Sequence, residues 1–195
     1  AAGGRLNDAF MAATAAGFRR YHEAHDTPIE SLRVSMPINL RDADSADATG
    51  NNFAPARFLL PTDRTDPIEA MTEIRALVAA QRAEPALSIV EPLARVLNRF
   101  PTSMTTSLFG AMLRGIDLVA SNVPGAPIEL FTAGARVQSM YALGPMAGAA
   151  VNVTLLSYLD DIHIGINLDP AAVTDPKLFV QCYRDGEAEV LAAAG

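Results

Sequence analysis

Two short stretches hold the side chains best suited to positioning a substrate. The first is Ser121-Asn122-Val123-Pro124-Gly125, at the end of an apolar run. Pro-Gly is a turn dipeptide. The Asn before it carries an amide that can donate to one group and accept from another. The plain reading is an Asx-type turn with no ligand. The second stretch is Leu32–Arg41. There Leu32, Val34, Met36, Ile38 and Leu40 face one way, and Arg33, Ser35, Pro37, Asn39 and Arg41 face the other. Asn39 and Arg41 on the polar face of an apolar strand suggest a wet cleft, the alternative being an ordinary solvated sheet face.

The usual reactive groups are sparse. The chain has no G-x-S-x-G, no P-loop and no G-x-G-x-x-G. His22-x-x-His25 has the spacing of a two-His metal site on one helix face. Cations near a helix C-terminus are also ordinary dipole partners, and that is the preferred reading, so no metal is expected. His163 shares a polar strand face with Asp161, Gly165 and Asn167 and reads as a solvated or hydrogen-bonded histidine, not as a base. Cys182, in a helix with no His nearby in sequence, reads as a buried structural thiol.

Composition narrows the classes. Of 195 residues, 50% are hydrophobic and 19% charged, which excludes disorder. One Cys excludes an intrachain disulfide and a Cys-rich zinc module. The net charge of −7 leaves no overall basic footprint for nucleic acid. A single Lys, Lys177, among 15 basic residues, with many Ala, reads as a GC-rich bacterial coding bias. Met146–Leu156, the longest apolar stretch of note, is about half of the roughly 20 residues a membrane span needs. The chain opens Ala1-Ala2-Gly3-Gly4 and runs straight into helical sequence, as expected of a piece cut from a longer protein.

The elements that must position these residues follow from periodicity. Leu6, Phe10, Ala13, Gly17 and Tyr21 form a stripe that predicts a helix over 6–24, with Asn7 or Asp8 capping it. Strands are predicted at 32–41 and 53–60. Asp66-Pro67-Ile68-Glu69 is a helix start, with an acid cap, Pro at the first position and Glu three after the cap. That helix runs to about residue 82. Two more helices are predicted near 87–99 and 102–114, then strands at 117–122, 128–131, 135–142, 150–158 and 162–168. A last helix spans 176–193. Mixed helices and strands with no flexible joint predict one α/β (α+β) domain over 1–195.

In order along the chain stand Leu6-Asn7-Asp8, Met36-Pro37-Ile38-Asn39-Leu40-Arg41, Gly50-Asn51, Ser121-Asn122-Val123-Pro124-Gly125 with Gly134-Ala135-Arg136, Asn152-Val153-Thr154 and Ser157-Tyr158. This series resembles the C-terminal half of the bacterial wax ester synthase/diacylglycerol acyltransferase family, over about residues 4–193. Two departures stand out. Ala126 follows the turn where the family usually has Pro, and Leu159-Asp160-Asp161 follows Ser157-Tyr158 where a Gly-containing turn is usual.

The resemblance implies one lobe of the two-lobed CoA-dependent acyltransferase fold, like chloramphenicol acetyltransferase, a mixed sheet flanked by helices. It implies transfer of an acyl group from acyl-CoA to a long-chain alcohol or diacylglycerol in a tunnel between lobes, with acyl-CoA as substrate and no cofactor. The general base of that family is the second His of H-H-x-x-x-D-G, a motif absent here and belonging to an N-terminal half. This chain would then supply the second wall and no catalytic His. Candidate tunnel-lining residues are Asn122, Val123, Pro124 and Gly125, then Asn39 and Arg41, then Asn7 and Asp8, the last pair also readable as helix-cap residues.

The partners so implied are the N-terminal half, the two substrates and, for a lobe with an uncovered face, self-association. The location would be cytoplasmic, peripheral at the inner membrane or lipid droplets, by apolar contact because an acidic chain gains nothing from anionic lipid. Leu93, Val96, Leu97, Phe100, Met104, Leu108, Phe109, Met112 and Leu113 could make that contact, though core packing is the plainer reading. Two alternatives remain. One is a non-catalytic lobe of the same fold that binds lipid or a partner; the other is an acyltransferase with a different acceptor.

Overall fold

The computed structural model describes residues 3–39, 53–83 and 115–194. The helices expected near 87–99 and 102–114, and Arg41, lie outside them. The elements are α1 (Leu6–Ala24), β1 (Ser31–Asn39), β2 (Phe53–Pro61), α2 (Pro67–Arg82), β3 (Leu118–Val123), β4 (Phe131–Thr132), β5 (Ala135–Arg136), β6 (Val151–Tyr158), β7 (Asp161–Leu168) and α3 (Pro176–Ala194).

Five strands form a mixed sheet in the order β2-β1-β3-β6-β7. The central pairs β1–β3 and β3–β6 are parallel; the outer pairs β1–β2 and β6–β7 are antiparallel. Arg33 on β1 clamps the start of β3. Its backbone N–H donates to Asp117 Oδ2 at 2.8 Å and its guanidinium grips both carboxylate oxygens. That guanidinium holds the Asp117 carboxyl below its ordinary range.

The alternation read from the sequence decides the two faces. Leu32, Val34, Met36 and Ile38 are buried with Leu118, Ala120, Val151, Val153 and Leu155 in one core, together with side chains from all three helices. β7 adds Ile164, Ile166 and Leu168 at its margin. The other face of the sheet carries Ser35, Pro37, Val119, Ser121, Asn152 and Thr154, as the register requires.

α1 is buried more completely than one stripe allows. Every residue from Phe10 to Phe18 is buried, while Leu6 is exposed. The reason is its small residues. A Cβ on Gly17 would lie 2.9 Å from Tyr183 Cα, and one on Gly186 would lie 2.7 Å from Gly17 N, so α3 closes directly on the α1 backbone. Thr14 Oγ1 meets the Tyr183 hydroxyl at 3.3 Å inside this contact, and burial pushes that phenol far above its usual range. Cys182 is buried in the same helix, and burial pushes its thiol up.

The start of α1 differs from expectation. Arg5, not Asn7 or Asp8, is the N-cap, and Asp8 stands at N3, where its carboxylate accepts from Arg5 N–H at 2.8 Å. At α2 the expected acid cap is found: Asp66 Oδ1 accepts from Ile68 N–H at 2.8 Å. The predicted strands 128–131 and 135–142 reduce to the two-residue strands β4 and β5. Among the described residues no helix is long and apolar enough to cross a membrane.

Candidate active-site wall

The bend after β3 is built by β6. Ser157 Oγ accepts from Gly125 N–H at 3.0 Å, and Leu159 N–H donates to Ala126 O at 3.0 Å. A Cβ at Gly125 would sit 1.7 Å from the Ser157 carbonyl oxygen, so only glycine fits. β3 and β6 run in register to Val123↔Leu156, so the bend leaves the sheet at a fixed height.

That bend borders a cavity of about 590 Å³ on the sheet face opposite the three described helices. Ser121, Asn122, Val123 and Pro124 form one side, and Ser35 and Pro37 on β1 with Pro55 on β2 form another. The two stretches singled out by sequence therefore meet here. Asn39 continues β1 opposite Phe53, its side chain outside the described residues along with Arg41. Asn7 and Asp8 are not brought to this cavity. They line a separate hollow of about 320 Å³ between α1 and α2, with Arg5, Arg75 and Arg82. Asp8 is engaged in the helix cap, while the Asn7 amide nitrogen is buried and unpartnered.

Sequence reasoning missed the third side. Residues 142–147 leave the expected strand and cross the sheet face as a strap, of which Ala142, Leu143, Gly144, Pro145 and Ala147 border the cavity. Two buried-side amides pin the strap: Asn152 Nδ2 donates to Pro145 O at 3.1 Å, and Asn167 Nδ2 to Gly144 O at 2.7 Å. Thr154 Oγ1 donates to Asn152 Oδ1 at 2.9 Å, so the fully buried Asn152–Thr154 pair is satisfied. Glycine makes the approach possible, because a Cβ at Gly165 would meet Ala142 O at 2.0 Å. The signals were a polar Asn152/Thr154 face on an apolar strand and the Gly144-Pro145-Met146-Ala147-Gly148 cluster.

Chemically, the wall offers the Ser35 and Ser121 hydroxyls, with Asn122 at its edge, beside apolar Val119, Val123, Pro124 and Leu143, while the Asn152 amide and the Thr154 hydroxyl are already engaged with Pro145 O and with each other. None of the described residues lining it is titratable. It can hold a long apolar chain and donate hydrogen bonds to a carbonyl or oxyanion. Among its described lining residues it offers no titratable group to accept a proton.

The other candidates lie away from it. Tyr21 stacks edge-on against both His22 and His25, and His22 Nδ1 lies 3.2 Å from Thr27 O. Among the described residues no cluster of three or more His, Cys, Asp or Glu could hold a metal. His163, expected to be solvated or hydrogen-bonded, is half-buried with its ring edge-on to Tyr141 at 4.9 Å, its Nε2 buried and unpartnered.

A family model for the WS/DGAT C-terminal domain matches residues 49–189. A Mycobacterium tuberculosis protein named as a candidate diacylglycerol O-acyltransferase is 38% identical over 195 residues, which are 100% of this chain and 39% of that protein. A second from the same species is 28% identical over 96% of this chain and 42% of its own length. The chain thus spans about two fifths of these relatives. Among solved structures, the wax ester synthase/diacylglycerol acyltransferase of Marinobacter aquaeolei VT8 aligns with a TM-score of 0.67 at 22% identity, over 100% of this chain and 45% of its own. The PapA2 acyl transferase aligns with a TM-score of 0.56 at 16% identity, over 100% and 40%. At these identities the structures speak for the fold alone.

Proposed function

The chain belongs to the WS/DGAT C-terminal domain family, and from that premise we propose that it is the C-terminal lobe of an acyl-CoA:alcohol O-acyltransferase, forming one wall of a tunnel completed by an N-terminal half. The observation that carries this reading is the cavity on the sheet face opposite the described helices, with apolar surface and hydrogen-bond donors but, among its described lining residues, no titratable group. In the reaction the acceptor hydroxyl oxygen attacks the thioester carbonyl carbon while a base takes its proton. The tetrahedral adduct then expels CoA thiolate, which leaves as the thiol, and an ester remains.

The base is a histidine of the N-terminal half. This lobe's part is to align the reactants and steady the developing oxyanion. Asn122 and Ser121 are the donors best placed for the oxyanion, at the fixed end of β3. Val123, Pro124, Val119 and Leu143 hold hydrocarbon. The acceptor is a long-chain alcohol or diacylglycerol and the product a wax ester or triacylglycerol, with acyl-CoA as substrate and no cofactor. Such substrates place the work at the cytoplasmic side of the inner membrane or at lipid droplets, through apolar contact.

The test is acyl-CoA consumption with hexadecanol or diolein, measured for this chain alone and for a polypeptide carrying a family N-terminal domain ahead of it. Turnover only in the two-domain protein, lowered at least about tenfold by Asn122→Ala, is the expected result. Turnover by the chain alone overturns the division of labour. A folded two-domain protein that binds acyl-CoA without turning it over turns the assignment to a non-catalytic lipid-binding lobe.

A further inference from the structure

We propose that the hollow between the start of α1 and the last turns of α2 is a binding site for a phosphate dianion, separate from the cavity beside the bend and not dependent on acyl transfer. Its volume is about 320 Å³. The helical period builds one side. Arg75, Val78, Ala79 and Arg82 stand at spacings of three and four, so they share one face of α2, and all four line the hollow. The start of α1 builds the other side through Arg5, Asn7 and Asp8. Three arginines therefore surround one aspartate, in a chain whose 22 acidic residues outnumber its 15 basic ones.

Two features make this a receptor for an anion and not a scatter of surface charge. First, the groups around it are set in place by the backbone. Asp8 is buried, and its Oδ2 accepts from Arg5 N–H at 2.8 Å in the cap of α1, so the one acid is already engaged. Arg75 Nη1 donates to Gly3 O at 2.8 Å, at a Gly3 φ of +58° that turns this carbonyl onto α2. Second, the Asn7 amide nitrogen is buried with no hydrogen-bond partner. An orphaned buried donor is rare in a folded chain, and an oxyanion in the hollow supplies the acceptor it lacks. The helix ends oppose each other here, since the start of α1 favours an anion and the end of α2 disfavours one. The arginines decide the sign.

The ligand class follows from charge and shape. Three guanidiniums around one carboxylate leave an excess of two positive charges. A phosphate monoester matches that at neutral pH, with a charge of about −1.5 to −2 and three acceptor oxygens. A carboxylate brings one charge and two oxygens and satisfies less of the set. Val78 and Ala79 give the hollow an apolar side along which an organic stem can leave. Two sources carry this group, the 3′-phosphate of CoA and the headgroup of phosphatidate. The hollow lies among the helices and the cavity on the opposite face of the sheet, so a phosphate held here does not compete for the cavity.

Titration calorimetry with inorganic phosphate, CoA and 3′-dephospho-CoA tests this, together with sedimentation on phosphatidylcholine vesicles with and without phosphatidate. Both are run on this chain and on the two-domain protein. The expected result is saturable phosphate binding with a Kd below about 1 mM, and none with acetate. Arg82→Gln and Asn7→Asp should each weaken it about tenfold or more. Arg82 is exposed, so its variant keeps the fold, and an unchanged Tm verifies that. Arg57→Gln, at an exposed arginine of β2 away from the hollow, should leave binding as it was. CoA bound about tenfold or more tightly than 3′-dephospho-CoA assigns the phosphate to CoA. Equal affinity for those two, with sedimentation that needs phosphatidate and is lost in Arg82→Gln, assigns it to the lipid. Absence of binding to every phosphate species overturns the proposal. So does binding that Arg82→Gln and Asn7→Asp leave unchanged, or binding by this chain that the two-domain protein lacks, which gives the hollow to the other half. All of these readouts are binding, so a two-domain protein without turnover sinks the acyl-transfer reading and leaves the phosphate site standing.

Discussion

Gly125→Ala is the sharpest perturbation of the cavity wall. The added Cβ would lie 1.7 Å from Ser157 O, 2.9 Å from Ser157 C and 3.3 Å from Leu156 Cδ1, where ordinary contact begins at 3.4 Å. Two of these atoms are backbone of Ser157, near the end of β6 and paired with Ile162 on β7, so the bend must move, by about 1.7 Å. That movement breaks the Gly125–Ser157 hydrogen bond and strains the Leu159–Ala126 bond, each worth about 1 kcal/mol. Overpacking adds about 1–3 kcal/mol, and the stiffer unfolded chain returns about 0.4–1 kcal/mol. The net loss is about 2–4 kcal/mol, small enough to leave a domain of ordinary stability folded. For a chain of this length that lowers Tm by roughly 5–15 °C. In the two-domain protein the same displacement carries Asn122 and Pro124 away from the reacting carbonyl and should lower kcat/KM about a hundredfold. Ser157→Ala is the control: it removes the acceptor without forcing the bend aside, so it should lose about 1 kcal/mol and far less activity. Urea unfolding and acyl-CoA consumption measure the two effects. If Gly125→Ala stays within about 0.5 kcal/mol of the parent with unchanged turnover, the bend is not the fixed wall described above.

Three further outcomes follow from other contacts. Gly186→Ala should destabilise by about 1–3 kcal/mol in urea unfolding, although Ala is the better helix former by about 1 kcal/mol, because its Cβ meets Gly17 N at 2.7 Å and Ala13 O at 2.8 Å; a stabilised variant would disprove the close α1–α3 crossing. Asn152→Ala leaves Pro145 O and the Thr154 hydroxyl without their partner, so it should cost about 1–3 kcal/mol and speed exchange in 142–147 while that in α1 stays the same. Glu187 has its carboxyl pushed up by burial against the smaller pull of Arg184. The folded chain then holds that proton more tightly than the unfolded one, so this contribution is present at low pH and lost as pH rises through the raised pKa. Glu187→Gln should therefore raise Tm at neutral pH and not at pH 4, and equal shifts at both would contradict it.

Elements specified by their own residues were legible in the sequence. α1 spans the predicted 6–24, α2 begins at its Asp66-Pro67 signal, and β7 follows the alternation of Ile162, Ile164, Ile166 and Leu168. What escaped was specified at a distance. Residues 135–142 have strand-like composition, yet only Ala135–Arg136 pair, because the strap beyond them is held by Asn152 and Asn167, residues of other strands. The burial of α1 on several sides depends on Gly17 meeting Gly186, which no helical stripe reveals. Likewise Asn7 and Asp8 sit next to each other in a polar motif, but only the fold could show that they face α2 and not the cavity. The departure at Leu159 also acquires a physical meaning: its φ is +54°, where the glycine expected from the family resemblance would be unstrained.

The arrangement separates holding from proton transfer. Ser35, Asn152 and Thr154 are buried, Asn152 and Thr154 are hydrogen-bonded within the chain, and Gly125 and Gly165 bring backbone to backbone with no slack for a side chain. Rigidity of this kind suits a surface that must keep a carbonyl and an attacking oxygen in register, since it spends no free energy on reorganisation when charge develops. It suits a general base poorly, because a base needs a titratable group near neutral pKa and access for its proton, and the described wall has neither. A lobe so built gains from receiving the base on a separate body brought in beside it. The bend, the β4–β5 hairpin and the strap are consecutive in the chain, from Ser121 to Ala147, and four strand residues hold them in place: Ser157, Tyr158, Asn152 and Asn167. That excursion borders the cavity at both ends, so the position of the wall is set by contacts with the sheet and not by the local sequence of the loop alone.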